Sequence, residues 1–523
     1  MIFHSPHAAV SIPDTPLTPF VFEHAKRFGD KPALIDAATG QGYTYAQLET
    51  AVRRAAAGLA ERGYRKGDVL AILSPNVPDY AVAFHGASLA GCVVTTINPL
   101  GAVVEIAKQL ADAGARGLVA HPALLEKGAQ AARSAGVADL FAFGDDATAG
   151  AELFARLSER DTPPPAVLID PRSDVVALPY SSGTTGLPKG VMLTHRNLVA
   201  NVTQLVPLDV LNGDDTTVCV LPLFHIYGLV AVLNLGLRVG ATLVTMPRFD
   251  LGEYLKNLER YRATVAQVVP PIMLGLANHP SVAGHDLSTL RMIFSGAAPL
   301  GEGLSRACEA KFGCAVRQGY GMTESSPATH ITPADPALAR HGSIGVPVPN
   351  TECKLVDTQT GAEVGRGREG ELCVRGPQVM LGYLGRAEET AATVDGEGWL
   401  RTGDIGYADD EGHFFIVDRA KELIKYKGFQ VPPAELEALL ITHPAVADAA
   451  VVPVPDEEAG EIPKAFVVLK PGSPLDADSA PAELMSFVAA SVAPHKKIRL
   501  VEIIDQIPKS PSGKILRRLL KDK

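Results

Sequence analysis

The residues of this chain best placed to do chemistry lie in one short stretch, Tyr180-Ser-Ser-Gly-Thr-Thr-Gly-Leu-Pro-Lys-Gly190. Three glycines, four Ser/Thr hydroxyls and one lysine in so small a loop suit a polyphosphate. Glycine lets backbone N–H groups approach phosphate oxygens, hydroxyls donate hydrogen bonds, and Lys189 adds positive charge. The spacing is not that of a Walker A loop, because Gly183, Gly186 and Lys189 stand three residues apart. Alone, such a loop is usually just a solvated turn.

The elements that must hold it are legible on either side. Val175–Pro179 reads as a strand entering the loop, and a helix-like segment starts at His195. Upstream, Thr44-Tyr-Ala-Gln47 is a capping-box start for a helix running to about Glu61. Val69–Leu73 and Cys92–Ile97 read as buried strands around a helix over Asp79–Ala90, with further elements near Ile106–Gly114 and Gly117–Ala120. This alternation predicts a mostly parallel sheet covered by helices on both faces. Residues 144 to 166 read as a linker into a second such unit containing the loop. There Thr217–Leu221, Ala241–Met246, Val265–Val269, Arg291–Ser295 and Ala315–Gln318 read as strands between helices. After Pro333 short glycine-punctuated strands predict a β-barrel-like subdomain to about residue 403. From Asp418 a small α+β domain of roughly 100 residues is expected.

Bulk properties exclude several classes. The 523 residues exceed one simple domain and suggest about three or four units. A hydrophobic content of 46% with 20% charged residues fits a large globular core. With 48 Lys+Arg against 58 Asp+Glu the net charge is −10, which argues against nucleic acid as partner. The six cysteines show no C-x-x-C pair or zinc spacing and read as reduced thiols. No signal peptide and no membrane span are expected, since Pro222, His225, Tyr227 and Asn234 interrupt the apolar window Leu221–Leu237. The cytoplasm is the default location. Gly365-Arg-Gly-Arg-Glu-Gly370 matches a dinucleotide fingerprint but runs into the strand-like Glu371–Val374, so a hairpin turn is expected instead. No G-x-S-x-G surrounds Ser181 or Ser295.

Beyond the loop, Gly319-Tyr-Gly-Met-Thr-Glu324, Gly342-Ser-Ile-Gly345, Gly370-Glu-Leu-Cys-Val-Arg-Gly376, Trp399-Leu-Arg-Thr-Gly-Asp404, Asp418-Arg-Ala-Lys-Glu422 and Pro511-Ser-Gly-Lys514 follow in order. Together these resemble the adenylate-forming superfamily of acyl-CoA synthetases, luciferases and peptide-synthetase adenylation domains, from about residue 20 to the end. Leu221–Leu229, Val269–Ile272, Ser295–Leu300 and Ile424–Val431 resemble its 4-coumarate–CoA ligase branch most. The resemblance implies an adenylation domain over residues 1–417 and a mobile domain over 418–523, hinged near 418–419.

It also implies chemistry in two steps. A carboxylic acid and ATP give acyl-AMP and pyrophosphate; the thiol of coenzyme A then displaces AMP. Ser181, Ser182, Gly183, Thr184, Thr185 and Lys189 would hold phosphates, with Thr323 beside them and Glu324 as Mg²⁺ ligand. Tyr320 would stack on adenine, with Gln318 and Gly319 also binding the nucleotide; Asp404 would accept both ribose hydroxyls, and Arg419 would add a second ribose or phosphate contact. His225, Tyr227, Phe294, Gly296, Ala297, Ala298, Val346, Pro347 and Val348 would line the acyl pocket. Lys514 would serve adenylation. Lys425 and Gln430, with Lys427 and Gly428 toward coenzyme A, would serve thioester formation.

Phe294 stands where plant members of the branch tend to carry a basic residue. That change weakens recognition of a ring hydroxyl and favours a flatter, more apolar acid. An aromatic or phenylpropenoid acid is the expected substrate. A medium-chain fatty acid, a carrier protein in place of coenzyme A, and a non-catalytic adenylate-binding regulator are the rivals. A monomer or weak homo-oligomer is expected.

Overall fold

The computed structural model describes every residue except 146, 160–161, 182–187, 420–421, 427–428, 457–458, 474, 493, 511–512 and 522–523, and only the backbone of 419, 429 and 430. It builds the chain from four sheet systems.

The first has Val69–Leu73 near its centre, flanked in parallel by Val93–Ile97 and Ala115–Ala120. Leu70 through Leu73 are wholly buried, as a central strand covered on both faces requires. The helix Tyr45–Glu61 is capped as expected, with Thr44 and Gln47 exchanging side-chain and backbone bonds. It packs on Asp79–Leu89, which is buried nearly all round.

Two expectations need correction here. The segment 144–166 is not only a linker, because Glu152–Leu153 adds a parallel edge strand. Just after it the Phe154 ring packs edge-on against Phe141 and Phe143. The loop's own strands also belong to this first sheet. Val175–Ala177 pairs with Val93–Ile97, and Lys189–Thr194 pairs antiparallel with Val175–Ala177 and with Tyr180–Ser181.

The second sheet system draws in a strand from the far N-terminus. Pro32–Asp36 lies parallel to Thr242–Thr245, itself parallel to Thr216–Cys219. Val265–Val268, Met292–Ser295 and Ala315–Gly321 then run in parallel, followed antiparallel by Ala328–Ile331 and Val346–Pro347. A bond from Thr264 N–H to the Thr216 carbonyl (2.9 Å) joins the two groups. The apolar window after Leu221 forms a buried π-helix, Tyr227–Asn234, continued by the α-helix Leu235–Val239. Among the described residues no helix is long and apolar enough to cross a membrane.

The third system is a six-stranded antiparallel sheet of Phe3–His4, Glu352–Val356, Glu363–Val364, Gly370–Arg375, Leu400–Ala408 and Phe414–Arg419. It continues past residue 403 to Arg419. A bridge between Gly345 and Phe414 closes it toward the second system, which accounts for the barrel-like expectation. The run Gly365–Gly370 leads into a strand as expected, but it is not a hairpin. Its flanking strands both pair with Glu352–Val356, so the connection crosses that strand.

The last system is the small α+β unit. Val446–Asp456 and Gly460–Leu469 form its long antiparallel ladder, extended by Ile424–Tyr426, Phe429–Val431 and Leu500–Ile503. Helices Pro433–Ile441 and Ala480–Ala489 cover it over a separate core containing Leu436, Leu440, Val451, Val467 and Leu484.

Candidate active site

The phosphate-loop candidates sit where the first sheet turns back on itself. Ser181 faces Lys189 across the antiparallel pair, while Ser182, Gly183, Thr184 and Thr185 lie outside the described residues. Lys189 places its ammonium 4.7 Å from the centre of the Tyr383 ring, a cation–π contact. Tyr383 is there because Gly382–Tyr383 pairs with Met192 and Val191 of the lysine's own strand. Its hydroxyl donates to Glu324 Oε1 at 2.9 Å.

Glu324 is buried in the one-turn helix Thr323–Ser325, and its carbonyl accepts from Met380 N–H at 2.8 Å. The strip before Tyr383 is fixed by Asn197, whose amide donates to the carbonyls of Pro377 and Val379. Lysine, tyrosine and buried carboxylate thus form one chain of contacts beside the loop. The sequence reading missed Tyr383. Its only signal was a tyrosine amid the apolar run Val379–Leu384.

A second group lies at the end of Ala315–Gly321. The Tyr320 hydroxyl donates to a carboxylate oxygen of the buried Asp404. The ring is backed edge-on by His330, its partner in the antiparallel register. Gln318 is anchored through its amide to the Ser343 carbonyl. Arg419 lies opposite Asp404 in the strand register. Adenine- and ribose-facing candidates are therefore brought together.

The acyl-pocket candidates meet on the second sheet system. Tyr227 packs edge-on against Phe294, centroids 6.5 Å apart, and both are buried. Small residues are required around them. A Cβ on Gly296 would fall 2.8 Å from Tyr227 Cε1, and one on Gly319 would fall 2.9 Å from Phe294 Cζ. Ala297 holds a left-handed backbone, φ 69°, in the turn after Ser295. Val346 and Pro347 form the short strand beside Ala328–Ile331, followed by Val348, and all are buried.

His225 begins the π-helix turn. The Tyr227 N–H donates to its Nδ1 at 3.3 Å, which leaves the proton of the neutral ring on Nε2. Although the ring keeps some exposure, desolvation and then the Lys514 charge bring its pKa down to about 4. The segment before His225 is clamped from the first sheet. Asn76 donates to the carbonyls of Cys219 and Leu221 (2.8 and 2.9 Å) and accepts from Leu223 N–H at 2.8 Å. Thr96 donates to the Phe224 carbonyl at 2.7 Å. Asn76, in a proline-rich loop, carried no signal in the sequence.

Lys514 comes from the small unit, far away in sequence, yet its charge acts on His225. It lies in a tight turn where Ser510 N–H donates to its carbonyl and its own N–H donates to Ser510 Oγ. Its neighbour Gly513 rests against the large unit, with Val269 and Pro271 atoms 3.5 Å from its Cβ position. Lys425 is elsewhere: it is exposed on Ile424–Tyr426, its N–H bonded to Glu461. Gln430 is its backbone partner, and Lys427 and Gly428 lie outside the described residues.

Among the described residues no three or more His, Cys, Asp or Glu side chains gather to hold a metal. Glu324 supplies a buried carboxylate bonded to Tyr383, whose ring meets Lys189. That fits Mg²⁺, which accepts one or two protein carboxylates plus phosphate oxygens and water.

Residues 21–384 match the model of the AMP-binding enzyme family, and residues 435–514 that of the AMP-binding enzyme C-terminal domain. A 4-coumarate–CoA ligase of Pinus taeda is 48% identical, aligned over 97% of this chain and 95% of its own. The 4-coumarate–CoA ligase 2 of Petroselinum crispum is 46% identical over 100% and 97%. An anthranilate CoA ligase, solved in complex with anthranoyl-AMP, superposes with a TM-score of 0.89 at 27% identity, covering 98% of each chain. This chain belongs to the AMP-binding enzyme family, among relatives of the 4-coumarate–CoA ligases.

Proposed function

We propose that the chain is an AMP-forming carboxylate–CoA ligase that activates phenylpropenoid acids of the 4-coumarate type with ATP and transfers them to coenzyme A. One observation carries the reading: the turn carrying Lys514 rests on Val269 and Pro271 of the large unit through Gly513, with its charge acting on His225, beside Tyr227, Phe294 and Gly296. Tyr320 and Asp404 hold adenine and ribose, with Arg419 beside them. Ser181 and Lys189, with the loop residues 182–185, hold the β- and γ-phosphates. Glu324, positioned by Tyr383, would hold Mg²⁺, which would supply charge neutralisation to the phosphates. The neutral His225 presents its Nε2–H toward the acid, and Lys514 stabilises the negative charge that builds between carboxylate and α-phosphate. No enzyme nucleophile is needed, because placement of charge and of the two reactants lowers the barrier.

The second step calls on a different face of the small unit, the one carrying Lys425, Lys427, Gly428 and Gln430. Residues 418–523 turn as a body on residues 1–417, with Asp418–Arg419 as the hinge. Asp418 is next to last in the strand Phe414–Arg419 of the large unit while its carboxylate accepts from Ala434 N–H at 2.9 Å, which supports that position. The enzyme works in the cytoplasm as a monomer or weak homo-oligomer.

The test is product analysis with 4-coumarate, ATP, Mg²⁺ and coenzyme A. AMP, pyrophosphate and the acyl thioester are expected in equal amounts. ADP as the stoichiometric product, or a strong preference for saturated chains over every aromatic acid, overturns the reading.

A further inference from the structure

Residues 3–10 lie ahead of the stretch that matches the AMP-binding model and carry none of the motifs above. They are nonetheless built into the wall behind Tyr320. Phe3–His4 pairs antiparallel with Glu352–Val356, with Phe3 opposite Cys353. Phe3 is buried in the core cluster that also holds Cys353 and Phe414, and Tyr320 packs against that cluster. Beyond Phe3 the arm is laid along residues 347–351. Ser5 donates its N–H to the Thr351 carbonyl (3.2 Å) and its hydroxyl to the Pro347 carbonyl (2.8 Å). Val10 N–H donates to Asn350 Oδ1 at 2.8 Å, and Asn350 Nδ2 donates back to the Val10 carbonyl at 3.0 Å.

Two lines of contact run from this arm to His330, the residue behind Tyr320. The first is made of rings. Phe3 meets Phe414 edge-on with centroids 5.2 Å apart, Phe414 meets His330 at 4.8 Å, and His330 meets Tyr320 at 5.8 Å. The second is made of hydrogen bonds whose direction is fixed. Thr329 gives its one hydroxyl proton to the Tyr320 carbonyl at 3.3 Å. Its oxygen must then accept from His330 Nδ1–H at 2.9 Å, which leaves Nε2 to accept the Cys353 thiol proton at 3.4 Å. Burial keeps both groups neutral, lowering the pKa of His330 and raising that of Cys353. The Tyr320 ring is thus backed by a residue that two neighbours of Phe3 hold in place. Its hydroxyl is tied separately, to Asp404.

We infer that the arm of residues 3–10 completes the adenine site, with Phe3 a positioning residue that acts through Phe414, Cys353 and His330 on Tyr320. This rests on the reading of Tyr320 as the side chain that meets the adenine. Ring pairs are favourable only in certain offsets and tilts, so a loosened backing weakens affinity for the base first. The phosphate candidates Ser181 and Lys189 belong to a different sheet and should not feel Phe3.

The experiment measures, on the intact chain, KM for ATP in coenzyme A ligation and the inhibition constants of adenosine and of tripolyphosphate against ATP. Phe3→Ala is expected to raise KM for ATP and the adenosine constant together by ~5-fold, about the loss of one aromatic pair, and to leave the tripolyphosphate constant unchanged. A lowered Tm with KM and the adenosine constant unchanged assigns Phe3 to stability alone and overturns the inference. An equal rise in both inhibition constants overturns it too. Should Phe3→Ala fail to fold, Phe3→Leu refills the core without the ring edge. It is expected to raise the adenosine constant by ~2-fold, the low end of such a pair, and a wild-type value overturns the inference. A wild-type enzyme that releases no AMP with any acid refutes the underlying reading instead.

Discussion

At the scale of single residues, Tyr383 is the side chain that ties the candidate site together. Its ring receives the Lys189 ammonium and its hydroxyl holds Glu324. A hydrogen bond to a charged group contributes about 1.5–3 kcal/mol, and here it also orients the oxygen left for the metal. Tyr383→Phe keeps the ring and removes only the hydroxyl. Adenylation is expected to need several-fold more Mg²⁺ and to slow by about tenfold at fixed Mg²⁺, on the order of one such bond. A magnesium titration of AMP release checks this; an unchanged titration curve contradicts the role given to Tyr383.

At the scale of elements, four histidines lie in the framework of the site, three of them buried and His225 partly exposed. His85 lies in Asp79–Leu89, His195 opens the helix after the loop, His225 opens the π-helix turn and His330 backs Tyr320. Burial lowers all four, to about 3 for His85 and His330 and about 4 for His195 and His225. The unfolded chain titrates them near 6.5 and so binds protons before the folded state does. Stability from these groups is fully present above that pH and is lost as pH falls from 6.5 toward 4, by about 1.4 kcal/mol per pH unit for each extra proton. Thermal unfolding should show Tm dropping steeply between pH 6.5 and 4 and little change between pH 7 and 8. A flat Tm from 6.5 to 4.5 contradicts the burial of neutral imidazoles.

Most individual elements were legible because periodicity and caps are local signals. The helix from Tyr45 and the strand Val69–Leu73 fall within a residue of where pattern and capping put them. Which sheet a strand joins is set by contacts distant in sequence, and that was not legible. Pro32–Asp36 crosses to the second system, and Lys189–Thr194 returns to the first. For the same reason Asn76 and Tyr383 went unread. Each acts through one or two partners on a remote element, and neither sits in a motif of its own.

At the scale of the whole molecule, two units have separate cores and touch where Gly513 rests on Val269 and Pro271. The turn carrying Lys514 rests on the large unit through Gly513, and the Lys514 charge acts on His225, while Lys425 is exposed on Ile424–Tyr426. On the mechanism proposed above, with one lysine for each step, turnover would require rotation about Asp418–Arg419. Separating the half-reactions in Lys514→Ala tests this most directly. Loss of the cation is expected to slow acyl-AMP formation by roughly 10²–10³, about 3–4 kcal/mol. Supplied with presynthesised acyl-AMP and coenzyme A, the same variant should form thioester at close to the wild-type rate, and Lys425→Ala should show the reverse pattern. Equal damage to both half-reactions in Lys514→Ala would contradict the two-state mechanism.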